Sequence, residues 1–508
     1  MSAPPSLQCA ADEQAVARRL LALSCAPSPH LYVAAIALEC AYSARLLRGA
    51  LGRRPWWRLC APADAAAASL ALIEYEAVDW SRALRGSGPC IPHFCVRKGL
   101  CRKAALAEYA GAAAARQPAA LRALARALPP TVVIDVMAAF HGGGGGGGGG
   151  FSRPGGRAEA LAWALADAEA AIAAAPAGAR WILKPSLANK AAGIAIVDGA
   201  AAAAAHVCDP ALRGVGVWVL QRYVAQPLTL RGRKFHLRVY ALADGDLRVH
   251  VFRQALALCA AARYDAAADA ADTRVHITNT CVAAARASFD EADAVACLTD
   301  LPAALASRAG GDAAAGKAQA AAIYARLCVV IADTFRALRA QAAAFMPLAH
   351  AYELYGVDFL VEDGDECGSV GAGGGAGAGA GADDDGDAAT RAGLHVRLLE
   401  FNPTPDIMQS GSRLEFVIAA MLEGVFRIAV DTRFPPPQQE QRAAAPARAA
   451  AASAGDLAAT WAAAYAAGFP EVGANADTPM LQWDCVLDLP PRPGGQAGMR
   501  LRESDEDD

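Results

Sequence analysis

Several things are missing from this sequence, and each absence removes a class of function. There is no strongly basic domain: 47 Lys and Arg against 51 Asp and Glu leave a net charge of −4 and an isoelectric point near 6.2. A dedicated nucleic-acid binder would carry a basic face, so no nucleic acid is expected as a partner. No charge-free apolar run is long enough to cross a bilayer, and no membrane is expected either. The opening MSAPPSLQCAADEQ lacks the basic-then-apolar order of a secretion signal, which points to the cytoplasm. The phosphate-loop pattern GxxxxGK[ST] occurs nowhere. Fourteen cysteines are scattered over 508 residues, without the density of a disulfide framework. Their one cluster, CIPHFCVRKGLC, holds Cys90, His93, Cys95 and Cys101. It lacks the tight pairs of a structural zinc site and reads as ordinary thiols rather than a metal centre.

What is present is a mixed pattern of helices and strands around two low-complexity insertions. Gly142 to Gly150 is pure glycine and Gly368 to Asp387 is a Gly/Ala/Asp mixture; neither has the apolar content to order itself. Helical stretches (Arg157 to Ala174, Ala318 to Ala344) alternate with the strand-like runs RWILKPS, VGVWVLQRYV, KFHLRVYALADGDLRVHVFR, YGVDFLVEDG and HVRLLEFN. The alternation predicts an α/β or α+β fold with antiparallel hairpins. A smaller N-terminal lobe is expected over residues 1–130, a central subdomain over 131–225 and a C-terminal subdomain over 226–430. The Pro/Ala-rich, acidic remainder, 431–508, is expected to be poorly ordered.

Four segments carry chemistry. In KFHLRVYALADGDLRVHVFR, Asp244-Gly245 reads as a two-residue hairpin turn, which would pair His236 with Arg253 and Arg238 with Val251. Period-two alternation then gathers Lys234, His236, Arg238 and Arg253 on one face. That face is either solvated or holds a polyphosphate. In WILKPSLANKAAGI, Lys184 ends an apolar strand and a small-residue loop follows, suited to folding over phosphates. Asp358 lies in the apolar strand GVDFLV, where an unpaired carboxylate would be costly. Its strand and that of LLEFNPTPD flank the second insertion, so Asp358 comes near Glu400 and Asn402, which share a face at spacing two. Three oxygen donors of this kind suit magnesium on a nucleotide such as ATP.

Taken together, WILKPSLANKAAGI, VLQRYVAQPL, RKFHLRVYAL, HITNTC, YGVDFLV and LLEFNPTPD resemble, in order and spacing, the tubulin-tyrosine ligase-like proteins, which have an ATP-grasp fold. Within that family they are similar to a fungal and algal branch carrying TNTC, and KGLCRKAAL resembles the family's N-terminal arginine-lysine segment. The resemblance covers roughly residues 75 to 430. It implies antiparallel sheets flanked by helices after a smaller lobe, and an ATP- and magnesium-dependent ligase that joins a free amino acid to a carboxylate of tubulin or another protein. It also implies a monomer near microtubules or cilia.

Residue by residue, the resemblance implies that Lys184 contacts ATP phosphates, that Lys190 also belongs to the nucleotide site, and that Gln221, Arg222, Tyr223 and Val224 hold the adenine. Lys234, His236, Thr278 and Asn279 would line the nucleotide site. Arg238 would approach the terminal phosphate and Arg253 the carboxylate or acyl phosphate, with Asp358, Glu400 and Asn402 as magnesium ligands. Cys281 reads as packing. Two positions depart from the family's pattern: Ala191 stands where a glycine is usual, and His236 where an acid is. A catalytically weak interaction protein and a small-molecule carboxylate-amine ligase are the alternatives.

Overall fold

Runs of β-branched and aromatic residues cut by glycine and proline build the sheets, and the alanine-rich stretches between them supply helices. The computed structural model describes residues 32–140, 157–188, 191–279, 291–364, 388–410, 413–436, 451–468 and 474–489, which divide into two units. The glycine run, the Gly/Ala/Asp mixture, Lys190 and Cys281 lie outside the described residues. Among the described residues, no helix is long and apolar enough to cross a membrane.

The smaller unit joins Met1–Pro92 to Val425–Ala447. Its strands β1 (Tyr32–Ala37), β2 (Trp57–Leu59) and β3 (Leu70–Ile73) form a parallel sheet in the order β2-β1-β3. Helix α1 (Ala41–Gly52) makes the first crossover, as parallel neighbours require. Arg54 grips both oxygens of Asp431 at 2.7 Å, which ties the later segment to this sheet. The expected N-terminal lobe of residues 1–130 is therefore redrawn, because residues 93–130 fold with the larger unit.

The larger unit comprises His93–Gly424 and Arg448–Asp508. After helix α2 (Lys103–Arg116), strands β4 (Thr131–Asp135), β5 (Trp181–Pro185), β6 (Ala195–Val197) and β7 (Val217–Arg222) form an antiparallel sheet in the order β4-β7-β5-β6. Helix α3 (Arg157–Ala173) closes its core around Trp181, Leu183, Trp218 and Leu220.

A second sheet of eight strands follows: β8 (Thr229–Leu230), β9 (Arg233–Asp244), β10 (Arg248–Phe252), β11 (Leu256–Cys259), β12 (Val295–Cys297), β13 (Tyr352–Asp363), β14 (Leu394–Pro403) and β15 (Trp483–Asp488). Strand β9 is its spine. One edge takes β11 over residues 235–238 and β10 over residues 241–243, while the other takes β13, to which β14 adds. Helix α4 (Ala313–Arg339) covers this sheet, with the Phe335 ring 5.8 Å from that of Tyr355 and 5.9 Å from that of Phe401. All residues of β9 from Lys234 to Asp244 are buried, which excludes a solvated outer face for its cations.

Two expectations fail here. The β9–β10 turn spans three residues, and Val249 pairs with Ala243 and Val251 with Ala241, so continuing that register sets Arg253 against Val239 rather than His236. Asp244 holds this loop by accepting from the backbone N–H groups of Asp246 and Arg248 at 3.0 and 2.9 Å. The left-handed residue is Leu247, with φ 60°. Gly245 is needed for another reason: a Cβ there would lie 2.1 Å from the Leu348 carbonyl oxygen. The second failure is the tail. Residues 454–466 form helix α5 (Ala454–Ala466), and β15 pairs along β10.

Candidate active site

The register of three strands lays a charged row across the sheet. Arg238 of β9 is opposite Asp358 of β13, which is opposite Glu400 of β14. Asn402, two residues on, donates its Nδ2 to Asp358 Oδ2 at 3.1 Å and to Glu400 Oε1 at 3.2 Å. The hairpin expected from the sequence therefore forms and brings the three together. Arg238 forks onto Asp358, Nε at 2.5 Å and Nη2 at 2.9 Å, which supplies the partner a buried carboxylate requires. Gly356 makes room for that arginine, since a Cβ there would stand 2.8 Å from Arg238 Cδ.

The first sheet contributes the lysine at its strand end. Lys184 is buried and donates to Gln221 Oε1 at 2.9 Å, and Gln221 donates in turn to Thr131 Oγ1 at 3.1 Å. Burial lowers the Lys184 ammonium to about 8, with Lys103 adding to the effect and Glu400 opposing it. Lys234 is only 3% exposed and rests 3.9 Å above the Tyr223 ring. Burial first, then the nearby Lys184, brings it to about 7. Neither lysine makes an ion pair among the described residues.

His236, also 3% exposed, joins its Nδ1 to the Thr278 hydroxyl at 2.7 Å. Its Nε2 faces Asp358 Oδ2 at 3.8 Å and has no hydrogen-bond partner among the described residues. Burial pulls its imidazole below the usual range against the pull of Asp358. The Tyr223 hydroxyl meets His276 Nδ1 at 2.8 Å, and Val224 is buried beside it in sequence.

Not every expected residue arrives. Arg253 is held by Asp484 of β15, Nη2 to Oδ1 at 2.7 Å, and by the carbonyl of Pro479. Arg222 alternates away from Gln221 and lies over the Trp181 ring at 5.7 Å. Asn279 follows Thr278 at the end of a described segment and is half-buried. In the loop after β5, Ala191 adopts φ 61° and Gly193 φ 70°, so the alanine occupies a conformation that favours glycine. His206 Nε2 meets the Gly193 carbonyl at 3.0 Å.

One residue was missed. Lys103, first in α2, places its ammonium 2.9 Å from Glu400 Oε2 and donates to the Ala188 carbonyl at 3.1 Å. Ser186 fixes that helix end by accepting from the Lys103 and Ala104 backbone N–H groups at 3.2 Å each, through its carbonyl and hydroxyl respectively. Burial would raise the Glu400 carboxyl, but Lys103 and then Lys184 outweigh it and hold it at about 2. The signal lay in composition: the chain has only six lysines, and three of them meet here.

Two carboxylates and a carboxamide are hard oxygen donors of the kind magnesium takes, so the donor set fits that ion. As arranged, however, both acids face side-chain cations, and no group of three or more His, Cys, Asp or Glu among the described residues is poised to hold a metal.

The model of the tubulin-tyrosine ligase family matches residues 159–442. The chain belongs to this family. It is 28% identical over 221 residues to a probable tubulin–tyrosine ligase of Schizosaccharomyces pombe, covering 43% of this chain and 42% of that protein. It is also 27% identical over 232 residues to the probable tubulin–tyrosine ligase PBY1 of Saccharomyces cerevisiae, covering 43% of this chain and 25% of that protein. The matches thus span less than half of either relative. Among solved structures, the C-terminal domain of K. lactis Pby1, described as an ATP-grasp enzyme interacting with the mRNA decapping enzyme Dcp2, superposes with a TM-score of 0.50 at 21% identity. It covers 80% of this chain and 95% of that domain. The fold is ATP-grasp, as the sequence motifs implied.

Proposed function

We propose that this chain is an ATP- and magnesium-dependent ligase that joins an amino acid to a protein carboxylate through an acyl phosphate. The observation that carries the reading is the pair of buried lysines, Lys184 and Lys234, which lack carboxylate partners among the described residues while Lys103 and Arg238 add two more cations. Buried ammonium groups are costly without an anion, and a polyphosphate is an anion that would satisfy all four.

In this reading Lys184 and Lys234 bind the phosphates, and Arg238 turns its fork from Asp358 to the terminal phosphoryl group. Asp358, Glu400 and Asn402 would hold magnesium, which supplies charge neutralisation on the phosphates. The acceptor carboxylate attacks the terminal phosphorus and ADP leaves; the amino group then attacks the acyl carbon and phosphate leaves. Catalysis is positioning and electrostatics, so no nucleophilic side chain is assigned. Arg253 is dropped from the catalytic set because Asp484 holds it.

The test is incubation of the full chain with Mg-ATP, labelled amino acids and carboxylate-bearing proteins, tubulin among them. ADP formed in step with label on an acceptor is the expected result. ADP formed with free amino acids alone would point to small-molecule ligation, and neither ADP nor label would overturn the proposal. A second reading, an ATP-grasp interaction module without turnover, is favoured by the ion pairs that close both acids. The K. lactis neighbour's described contact with a decapping enzyme makes a protein of that kind the partner to try under this reading.

A further inference from the structure

A carboxylate with no exposed surface is costly unless its oxygens are paired, and a buried ion pair can often be replaced by apolar side chains of similar volume without loss of stability. Glu353 of β13 is such a carboxylate, 0% exposed. Its Oε1 pairs with Arg97, and its Oε2 accepts from the Tyr355 hydroxyl at 2.5 Å and from the Phe94 backbone N–H at 3.3 Å. What the charged pair supplies, and an apolar pair would not, is one definite geometry, since a carboxylate held on both oxygens admits little slip.

Two acids of the β13–β14 hairpin hold the two ends of one short arm. Arg97 begins it: its carbonyl accepts from the N–H groups of Leu100 and Cys101 at 3.0 and 3.1 Å, which winds the helical turn Lys98–Cys101, and Lys103 follows at the start of α2. Midway, the Gly99 N–H donates to the Ala344 carbonyl at 2.8 Å, and a Cβ at Gly99 would lie 2.9 Å from that of Ala344. The middle of the arm thus has no room to shift toward that segment. At the far end the Lys103 ammonium stands 2.9 Å from Glu400 of β14, while Glu353 lies five residues before Asp358 on β13. A lysine is a point charge on a flexible four-carbon stem, so the setting of its backbone decides which anion it reaches.

We propose that Arg97 and Glu353 are positioning residues of the nucleotide site that act through Lys103: their ion pair sets the arm so that the Lys103 ammonium is delivered beside Glu400, where the phosphates would lie. The inference rests on the nucleotide site proposed above and adds the pair that aims one of its cations. Tyr355 belongs to the same device. Its hydroxyl holds Glu353 while its ring meets, at 6.1 Å, that of Phe401, which stands between Glu400 and Asn402 in sequence.

The experiment is a double-mutant cycle on the full chain, with Mg-ATP affinity read by calorimetry in the native protein, Glu353→Gln, Lys103→Met and the double variant. Glu353→Gln should weaken binding about tenfold in the native background and less than about twofold where Lys103→Met is already present. Equal factors in both backgrounds would mean that Glu353 supports the fold and not Lys103, and would overturn this inference while leaving the proposed function standing. If the native chain does not bind Mg-ATP, both readings fall. Lysine labelled with 13C at Cε gives a second readout, because the chain has only six lysines and Lys103 is assigned by the signal lost in Lys103→Met. That signal should move in Glu353→Gln; a Lys103 signal that stays in place overturns the inference even where Lys103→Met binds too weakly to titrate. Should Glu353→Gln not melt cooperatively, Tyr355→Phe, which takes one hydroxyl from the same carboxylate, replaces it in both measurements.

Discussion

Arg238 and Arg253 look alike in the sequence, two arginines on neighbouring strands of one hairpin, and they have opposite employment. Arg238 turns into the site and forks onto Asp358. Arg253 anchors the last strand of the sheet: Asp484 accepts from it and also from the Tyr324 hydroxyl at 2.7 Å. The difference is a three-residue shift in register, set by a loop rather than by either arginine. A cation's role therefore depends on which strand brings the facing acid.

The broadest way to test this contrast is to remove the strand that supplies Asp484. Truncation after residue 450 deletes β15 and α5, and with them the fully buried Trp461, whose ring stacks 6.4 Å from that of Tyr324. Loss of one such tryptophan typically costs about 3–5 kcal/mol. The truncated chain should show no cooperative thermal transition by circular dichroism; a melt matching the full chain would restore the view of residues 431–508 as a dispensable tail.

Single arginine substitutions give the next largest effects. Arg253→Ala leaves Asp484 without its cation and should lower stability by about 3 kcal/mol in denaturant titration, with Mg-ATP affinity unchanged. Arg238→Lys keeps the charge and loses the fork, so turnover should drop about a hundredfold while the melting temperature moves little. Equal effects of the two variants on turnover would collapse the distinction.

The smallest effect is expected in the loop after β5. Ala191→Gly replaces a side chain held at φ 61°, and relief of that strain should stabilise the protein by no more than about 1 kcal/mol. Tighter Mg-ATP binding in the same variant would show that the methyl group also obstructs the phosphates. Loss of stability would mean that the left-handed conformation carries no strain.

Much of this was legible in the sequence where local pattern and chemistry agreed. Glu400 and Asn402 share a face because strand geometry requires it, and the strands flanking the Gly/Ala/Asp segment pair as their placement on either side of it implied. The hairpin register was misread because Asp-Gly usually signals a two-residue turn, whereas here the glycine answers a carbonyl from a distant segment. No local signal contains that contact. The ordered tail was hidden likewise: WDCVLD becomes a strand because β10 offers an edge, and alanine-rich composition concealed α5. Lys103 was visible as a residue type but not as a partner of Glu400, since nearly 300 residues separate them.

The central claim is that the acids of β13 and β14 and the buried lysines form one Mg-ATP site. Thermal unfolding of the native chain and of Glu400→Gln, each with and without Mg-ATP, addresses it most directly. A ligand at a hundred times its dissociation constant stabilises the folded state by about 2.7 kcal/mol, so the native melting temperature should rise by several degrees. The rise should shrink or vanish in Glu400→Gln, which should still unfold cooperatively. A native protein indifferent to Mg-ATP, or a variant stabilised as much as the native chain, would contradict the account.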